Sequence, residues 1–361
     1  MDELTRPRVH IEFDHNFDPV DWGNRYSAGQ VPNELPYGFH HLIASGFDLQ
    51  VRAAGRSWLI NRAVGGTFRR LTGGFEFVDA IRSPSRRACD VAVCWNERTG
   101  VPAAARTVIP GEPPAVMGSI WMTDPHADIP KRSMKFAKWA LRRASAVWAN
   151  TDMQLKVLTE FGVPRDRAHL LLNPGIDSMF WHNERDEPAN GLVLSVGNDR
   201  HRDHDYLVEI MGQVQQRLPG SRLKLITAQP VNFPAKLGVK LDHVTHPQLR
   251  SMYSESAVVA VALTPNIHVS GCTSILEAMA CERPVVVTAY EGYERYVDHG
   301  KTGYLIAPGD KGAFVDALCE LLEDPERARQ MGHAGRQAVD ERFSSEHFMS
   351  ELGKVLHSVL R

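Results

Sequence analysis

Short apolar strands that alternate with helices are the feature that most restricts the fold of this chain. In the second half, Gly191–Val196, Leu223–Ile226 and Ala257–Leu263 are compact apolar runs, and stretches with helical spacing lie between them. Strands that alternate with helices form βαβ units, whose parallel sheets are covered on both faces. A less regular version of this alternation runs from Val91 to Leu172. The predicted fold class is therefore α/β, with one doubly wound unit in each half.

Composition and charge exclude several classes of protein. The 361 residues suit two domains of ordinary size, and 43% of them are hydrophobic, enough for a real core. The formal net charge of -2 argues against a surface built to bind nucleic acid. No run of about 18 apolar residues predicts a membrane span, and the first residues lack the basic-then-apolar order of a signal peptide. Five scattered cysteines suggest free thiols, so we expect a cytoplasmic location.

Domain boundaries are predicted from the polar loop between Asn173 and Asn190. The first domain is assigned to residues 1–177 and the second to 178–343, and residues 344–361 form a helix that packs back on the first domain. The first domain is expected to contain a helix at Gly38–Ser45 and strands at Leu49–Ala53 and Trp58–Ile60. Longer helices are predicted at Lys131–Ser145 and Pro325–Phe343.

The loop after the strand Gly191–Val196 is a candidate phosphate site. Gly197 allows close approach of a ligand to the backbone, and Arg200 and Arg202 could each hold phosphate oxygens through two N–H groups. The alternative is a solvated loop with ordinary surface charge.

The segment His268–Ser274 follows a buried strand and opens a helix. Small residues at a helix N-terminus leave backbone N–H groups free at the positive end of the helix dipole, which suits a diphosphate. Glu277 lies about one turn into this helix among apolar residues, and a ribose diol would be a suitable partner for its carboxylate. The alternative is that Ser270 caps the helix and Glu277 is exposed on its surface.

Several of these segments resemble a known family. The run SGCTSILEAMACERPVVV, the pattern E-x-x-V-x-x-G-x-T-G-Y-L-I and the segment LLNPGIDSMF are similar to the retaining glycosyltransferases of family 4. The resemblance covers roughly residues 115–345. It implies the GT-B architecture, in which two Rossmann-like domains face a central cleft. The first domain would bind the acceptor, and the second would bind a nucleotide sugar.

The resemblance assigns roles to the donor side. Glu277 matches the second glutamate of the family's Glu-x7-Glu motif and would contact the ribose. Val269 stands at the first glutamate, the usual contact of the donor sugar, so His268 or Ser270 would replace it. Arg202 occupies the lysine-like place for the diphosphate and Asn198 the arginine-like place, for which Arg200 would compensate. The donor-binding set is therefore Gly197, Asn198, Arg200, Arg202, His268, Ser270, Gly271, Cys272, Thr273 and Glu277.

The resemblance also assigns the catalytic residues and the reaction. Glu294 matches a glutamate found before T-G-x-L, and His126 or Asp124 stands near the place of a family histidine in the first domain. The implied reaction transfers a sugar from a UDP- or GDP-sugar to a hydroxyl of a natural product or glycoconjugate, with retention and without cofactor or metal. A nucleotide-sugar epimerase of the same architecture and a non-catalytic nucleotide-sugar binding protein are the alternatives.

Further features of the first domain concern the acceptor and partners. Trp95, Glu97 and the segment Tyr37–His41 could contact an acceptor, or could simply pack. The cluster at 131–143 interleaves cations with Phe136, Trp139 and Leu141. Such a helix can lie on anionic lipid at the inner membrane face, or it can pack its apolar side on the sheet. The sequence leaves the oligomeric state open.

Overall fold

The computed structural model describes residues 6–13, 17–51, 66–76, 88–172, 175–185, 187–189 and 191–361. The chain divides into two compact units. The first comprises residues 1–25, 34–172 and 348–361, and the second comprises residues 26–33 and 173–347. The division at 177 and 343 expected from the sequence stays a prediction. Among the described residues, no helix combines the length and apolar character needed to cross a membrane.

The first unit has a six-stranded parallel sheet with the order β2-β1-β3-β4-β5-β6. Every residue of the three strands β3, β4 and β5 is buried, as expected for strands covered on both faces. The strands are β1 (Arg8–Glu12), β2 (Asp48–Val51), β3 (Val91–Cys94), β4 (Ala115–Gly118), β5 (Ala146–Ala149) and β6 (Ala168–Leu170).

Several helices begin within the first unit. They are α1 (Pro19–Ser27), α2 (Gly66–Thr72), α3 (Glu97–Arg106), α4 (Lys131–Leu141) and α5 (Asp152–Glu160), with a 3-10 helix at Pro36–Ile43. Asn96 and Thr151 cap α3 and α5, since their side chains accept hydrogen bonds from Arg98 N and Gln154 N. The last helix of the chain, α11 (Ser345–Val359), contributes Phe348, Met349, Leu352, Val355 and Leu356 to the core on β1 and β3.

The second unit has a parallel sheet with the order β12-β11-β10-β7-β8-β9. From β7 the chain adds β8 and β9 on one side, and it then adds β10, β11 and β12 on the other side of β7. The loops after β7 and β10 therefore meet at the switch point, where open α/β sheets bind ligands. The strands are β7 (Leu192–Val196), β8 (Arg222–Ile226), β9 (Gly238–Leu241), β10 (Val258–Val261), β11 (Val285–Thr288) and β12 (Gly303–Ile306).

Five helices cover this second sheet. They are α6 (His204–Arg217), α7 (His246–Glu255), α8 (Cys272–Ala280), α9 (Lys311–Glu323) and α10 (Pro325–Ala338). Asp203 caps α6, and Thr245 forms a capping box with Gln248 at the start of α7. A buried apolar cluster, including Ile210, Val258 and Leu318, fills the space between the sheet and the helices α6, α9 and α10.

The predicted α/β class with two doubly wound units is confirmed, but several boundaries were wrong. The predicted helix Lys131–Ser145 ends at Leu141, and Pro325–Phe343 is regular only to Ala338, after which a wider π-type turn covers Val339–Phe343. The segment predicted as a helix from Gly38 is a 3-10 helix from Pro36 to Ile43. Trp58–Ile60 lies outside the described residues. All five cysteines are buried and none of them is in a disulfide.

Candidate functional site

The loops after β7 and β10 are tied together at the switch point of the second unit. Asp203 N donates to Ala262 O at 2.9 Å and Thr264 N donates to His201 O at 2.9 Å. An isolated antiparallel bridge pairs Arg202 with Leu263. These backbone contacts fix Arg202 beside the loop that leads into α8.

Arg202 is a buried cation at this junction, with 4% of its surface exposed. A Cβ added to Gly197 would stand 2.9 Å from Arg202 Nη1, and one added to Gly271 only 2.5 Å. The two glycines therefore make room for the guanidinium. Its Nη2 donates to Ser195 Oγ at 3.4 Å, while Nε and Nη1 have no acceptor among the described residues. Burial lowers the pKa of Arg202, because a desolvated cation without a counter-ion is unfavourable.

The N-terminus of α8 adds backbone donors beside Arg202. Gly271 precedes the helix with a φ of 81°, a left-handed conformation that favours glycine. The N–H groups of Gly271, Thr273 and Ser274 make no hydrogen bond within the described ranges. Ser274 Oγ donates to Val196 O at 3.1 Å and so anchors the helix to the end of β7. A buried guanidinium and helix N–H groups without acceptors are together able to bind an anion.

Side chains hold the preceding loop in place. Asn266 Oδ1 accepts from Ser270 N at 2.9 Å, and the Tyr293 hydroxyl donates to Ser270 O at 2.8 Å. The alternative in which Ser270 caps α8 is wrong, because Gly271 is the cap residue and no side chain bonds to the helix end. Cys272 N donates to Val269 O at 3.0 Å, within the turn that opens the helix.

Val269, which stands at the first glutamate of the family motif, has an unusual backbone conformation and a buried side chain. It has a φ of 54°, which is strained for a β-branched residue, and its exposure is 1%. An apolar side chain that is closed off from solvent in this way can pack but cannot offer a hydrogen bond.

Glu277 is buried in α8, with 9% of its surface exposed, so the alternative of an exposed surface glutamate is wrong. Its Oε2 accepts from the Tyr253 hydroxyl at 2.9 Å. Burial raises the pKa of Glu277 to about 8, although the hydrogen bond from Tyr253 opposes that rise. The carboxyl therefore already has one partner, supplied by α7.

His268 and Asp199 form a second polar pair in the same loops. His268 Nε2 lies 3.2 Å from Asp199 Oδ2, and Asp199 Oδ1 accepts from His201 N at 2.8 Å. Burial alone would raise the pKa of Asp199, but the hydrogen bond and charge of His268 outweigh it and hold that pKa below its usual value. An ionised Asp199 thus orients the His268 imidazole.

Other predicted residues of the second unit make local contacts. Asn198 Oδ1 accepts from Ala228 N at 2.7 Å and fixes the loop after β8. Arg200 is exposed, and its Nε donates to His201 Nε2 at 3.2 Å. Glu294 is also exposed, and its Oε2 accepts from Gly292 N at 2.8 Å. Arg202, Gly197, Gly271 and the first turn of α8 are thus brought together, while these three side chains serve neighbouring turns.

The two predicted catalytic residues of the first unit, Asp124 and His126, follow β4 and precede α4. Asp124 is buried and its Oδ1 accepts from His126 N at 2.7 Å, whereas His126 is exposed. Glu97 has a packing role, because its carboxylate accepts the N–H groups of residues 120 to 122 at 2.8–3.0 Å. Trp95 stacks on Tyr37 with ring centroids 3.8 Å apart, and Tyr37 is 40% exposed.

Four residues that sequence reasoning missed complete these loops. Tyr253, Asp199, Asn266 and Tyr293 are the partners of Glu277, His268 and Ser270. Asp199 stood in a segment already singled out, but no short-range pattern connects Tyr253 or Tyr293 with α8.

Sequence comparison finds one family model and several curated relatives. Residues 190–324 match the family model described as Glycosyl transferases group 1. The chain is 40% identical over 87 residues to the N-acetyl-alpha-D-glucosaminyl L-malate synthase of Bacillus anthracis, covering 24% of this chain and 23% of that protein. It is 26% identical over 257 residues to the alpha-maltose-1-phosphate synthase of Mycolicibacterium smegmatis, covering 61% and 65%. Both alignments span less than two thirds of the relative.

Structural comparison covers nearly the whole chain. The sucrose-phosphate synthase of Thermosynechococcus elongatus has a TM-score of 0.71 at 18% identity over 98% of this chain and 99% of that one. Anabaena HepE in complex with UDP and glucose has a TM-score of 0.70 at 14% identity over 98% and 100%. At these identities the likeness shows the fold alone. Residues 190–324 of the second unit therefore resemble the group 1 glycosyl transferases, and the chain has the GT-B fold of its structural neighbours.

Proposed function

We propose that this protein is a retaining glycosyltransferase that moves a sugar from a UDP- or GDP-sugar to a hydroxyl of a natural product or glycoconjugate. The observation that carries the proposal is the buried Arg202 beside the N-terminus of α8, with unpartnered N–H groups on both. A nucleoside diphosphate has the charge and the acceptor oxygens that these groups need. Anabaena HepE, described in complex with UDP and with UDP-glucose, supports a ligand of this class.

The proposed reaction proceeds on one face of the donor sugar. The bond between the anomeric carbon and the diphosphate oxygen breaks, and the acceptor oxygen forms a bond to that carbon from the same side. The acceptor proton passes to the departing phosphate oxygen. Arg202 and the N–H groups of α8 stabilise the charge that develops on the diphosphate. Because these groups supply positive charge themselves, we propose that neither a metal ion nor a cofactor is required.

The other donor contacts follow from the loops around this anion site. Glu277 would accept hydrogen bonds from the ribose hydroxyls in addition to the one that Tyr253 donates. His268, oriented by Asp199, would replace the carboxylate that Val269 does not provide. On the acceptor side we propose that Asp124 or His126 lies near the reacting hydroxyl. Glu294, in the loop after β11, is a further proposed catalytic residue.

Donor screening with product analysis tests the proposal. UDP-, GDP-, TDP- and ADP-sugars are added to the protein with excess EDTA, and melting temperature and products are measured. A shift selective for one nucleotide, with slow release of the free sugar in the same anomeric form, is expected. An epimerised donor would indicate the epimerase, and binding without any turnover would indicate a binding protein. If no nucleotide raises the melting temperature, the assignment of the anion site is wrong.

We further propose that α4 makes electrostatic contact with anionic lipid at the inner face of the membrane. Lys131, Arg132 and Lys135 are exposed on this helix, whereas Phe136 and Trp139 pack against the core of the first unit. The contact would therefore rest on charge without apolar insertion. Flotation with vesicles of phosphatidylglycerol should be strong in low salt and lost in high salt, and no flotation in low salt would contradict it.

A further inference from the structure

A cavity lies within the second unit, away from the anion site. It has a volume of about 530 Å³, within the usual range for small-molecule sites. Ala257 and Pro284, which precede β10 and β11, are part of its wall. The cavity is therefore at the amino ends of these strands, whereas the anion site is at the carboxyl ends of the same sheet.

One wall of this cavity is apolar and well packed. Ala257, Pro284, Leu321, Leu322, Pro325 and Ala328 form it, from the ends of two strands and two helices. The adjoining turn is held rigidly, since a Cβ added to Gly332 of α10 would stand 2.1 Å from Glu282 O. The shape of the cavity thus belongs to the fold itself.

Arg283 gives the cavity its unusual chemistry. It is only 5% exposed, and its Nη2 donates to Asn183 Oδ1 at 2.5 Å. Its Nε has no acceptor among the described residues, and none of their carboxylates forms an ion pair with it. Burial lowers the pKa of Arg283. A desolvated guanidinium with a free N–H is costly unless an anion accompanies it.

The carboxylate of the adjacent residue, Glu282, is already engaged. Glu282 Oε2 lies 3.4 Å from His333 Nδ1 and 3.5 Å from Asn183 Nδ2. Glu187 also lines the cavity but is exposed to solvent, where its charge is screened. Arg329 adds a second, largely exposed cation to the lining.

We infer that this cavity binds a small organic carboxylate with an apolar body. The carboxylate accepts hydrogen bonds from the Arg283 guanidinium, and the apolar body lies along the wall formed by Pro284, Leu321 and Ala328. The ligand supplies both of the things that the cavity lacks, an anion for the guanidinium and apolar contact for the wall. This site is independent of the donor site and of the glycosyltransferase reaction.

Calorimetric titration with matched probes tests the inference. Hexanoate and benzoate are compared with hexanamide and benzamide, which have the same apolar bodies without the charge. Saturable binding of a carboxylate, at least tenfold tighter than that of its amide, is expected. Equal affinity for acid and amide, or no saturation by either acid at tens of millimolar, overturns the inference.

Variants locate the binding. Arg283→Gln should weaken carboxylate binding at least tenfold, whereas Arg329→Gln should change it less than threefold. Equal losses in the two variants would mean attraction by surface charge and would overturn the site. Should Arg283→Gln fail to fold, Ala328→Phe fills the cavity while keeping the guanidinium, and it should abolish binding. Unchanged binding in Arg202→Met excludes the donor site, and loss of binding in that variant overturns the assignment to this cavity.

Discussion

Arg202 and Gly271 are so close that no side chain fits between them, since a Cβ on Gly271 would lie 2.5 Å from the guanidinium Nη1. Through this contact the loop after β7, which carries Arg202, packs against the loop after β10, which carries Gly271. It places a buried charge at the N-terminus of α8. The glycine is needed for its φ of 81° and also for the space that it leaves.

Gly271→Ala should therefore cost more in ligand affinity than in stability. Alanine in a left-handed conformation costs about 1–2 kcal/mol in the free energy of unfolding. The new methyl also displaces Arg202, so the Kd for UDP should rise at least tenfold. Gly309→Ala is the matched control, because Gly309 has the same φ of 81° and no atom within 4 Å of an added Cβ. Equal UDP affinity in the two variants would show that the guanidinium does not bind the nucleotide.

Arg202→Met should lower turnover without unfolding the protein. Loss of one preorganised donor to a developing anion typically lowers turnover by about 100- to 1,000-fold. The free energy of unfolding should stay the same or rise, since an unpaired buried charge is removed. Steady-state kinetics and chemical denaturation measure the two effects. Arg200→Met, an exposed arginine of the same loop, serves as control, and a comparable loss of turnover there would assign the phosphate contact to Arg200.

Glu277 should make stability depend on pH in the neutral range. Its pKa of about 8 in the folded protein lies above the ordinary value of 4.5. The unfolded chain therefore releases this proton first as the pH rises, so the contribution is fully present below about 4.5 and is lost as the pH rises through 8. Glu277→Gln should remove this slope. Denaturation midpoints of both proteins between pH 5 and 8.5 measure it, and parallel curves would mean that Glu277 is ionised throughout.

Tyr253→Phe gives a second test of the same pair. The tyrosine hydroxyl donates to the ionised carboxylate and so opposes the rise in the pKa of Glu277. Its removal should move the pH-dependent loss of stability to higher pH. A shift to lower pH would contradict the hydrogen-bond assignment.

Local patterns in the sequence predicted the sheet and the start of α8 because both depend on short segments. Val258–Val261 and Val285–Thr288 are wholly apolar and therefore buried, and the small residues before Ile275 mark a helix start with room for a ligand. The partner of Glu277 could not be predicted in this way. Tyr253 lies 24 residues earlier on another helix, and only the packing of α7 against α8 brings the two together.

Local sequence patterns were also insufficient for several helices of the first unit and for the surroundings of α4. The helices at Pro19–Ser27, Gly66–Thr72 and Glu97–Arg106 were not predicted, since polar residues, glycine and an internal proline obscure their spacing. For α4 the sequence could not decide whether Phe136 and Trp139 face lipid or core. In the structure both side chains are partly buried and pack against the core of the first unit.

Val269→Glu would restore the missing carboxylate of the family motif, and we expect it to destabilise the protein. The Val269 side chain is buried with 1% exposure, so a carboxylate there would be desolvated. A loss of about 3 kcal/mol in the free energy of unfolding is expected. Burial raises the pKa of such a group, so the loss should grow as the pH rises. Val269→Gln has a similar size without a charge and should show a loss that is independent of pH. A Val269→Glu variant as stable as the parent, with higher turnover, would mean that this position opens onto the donor sugar.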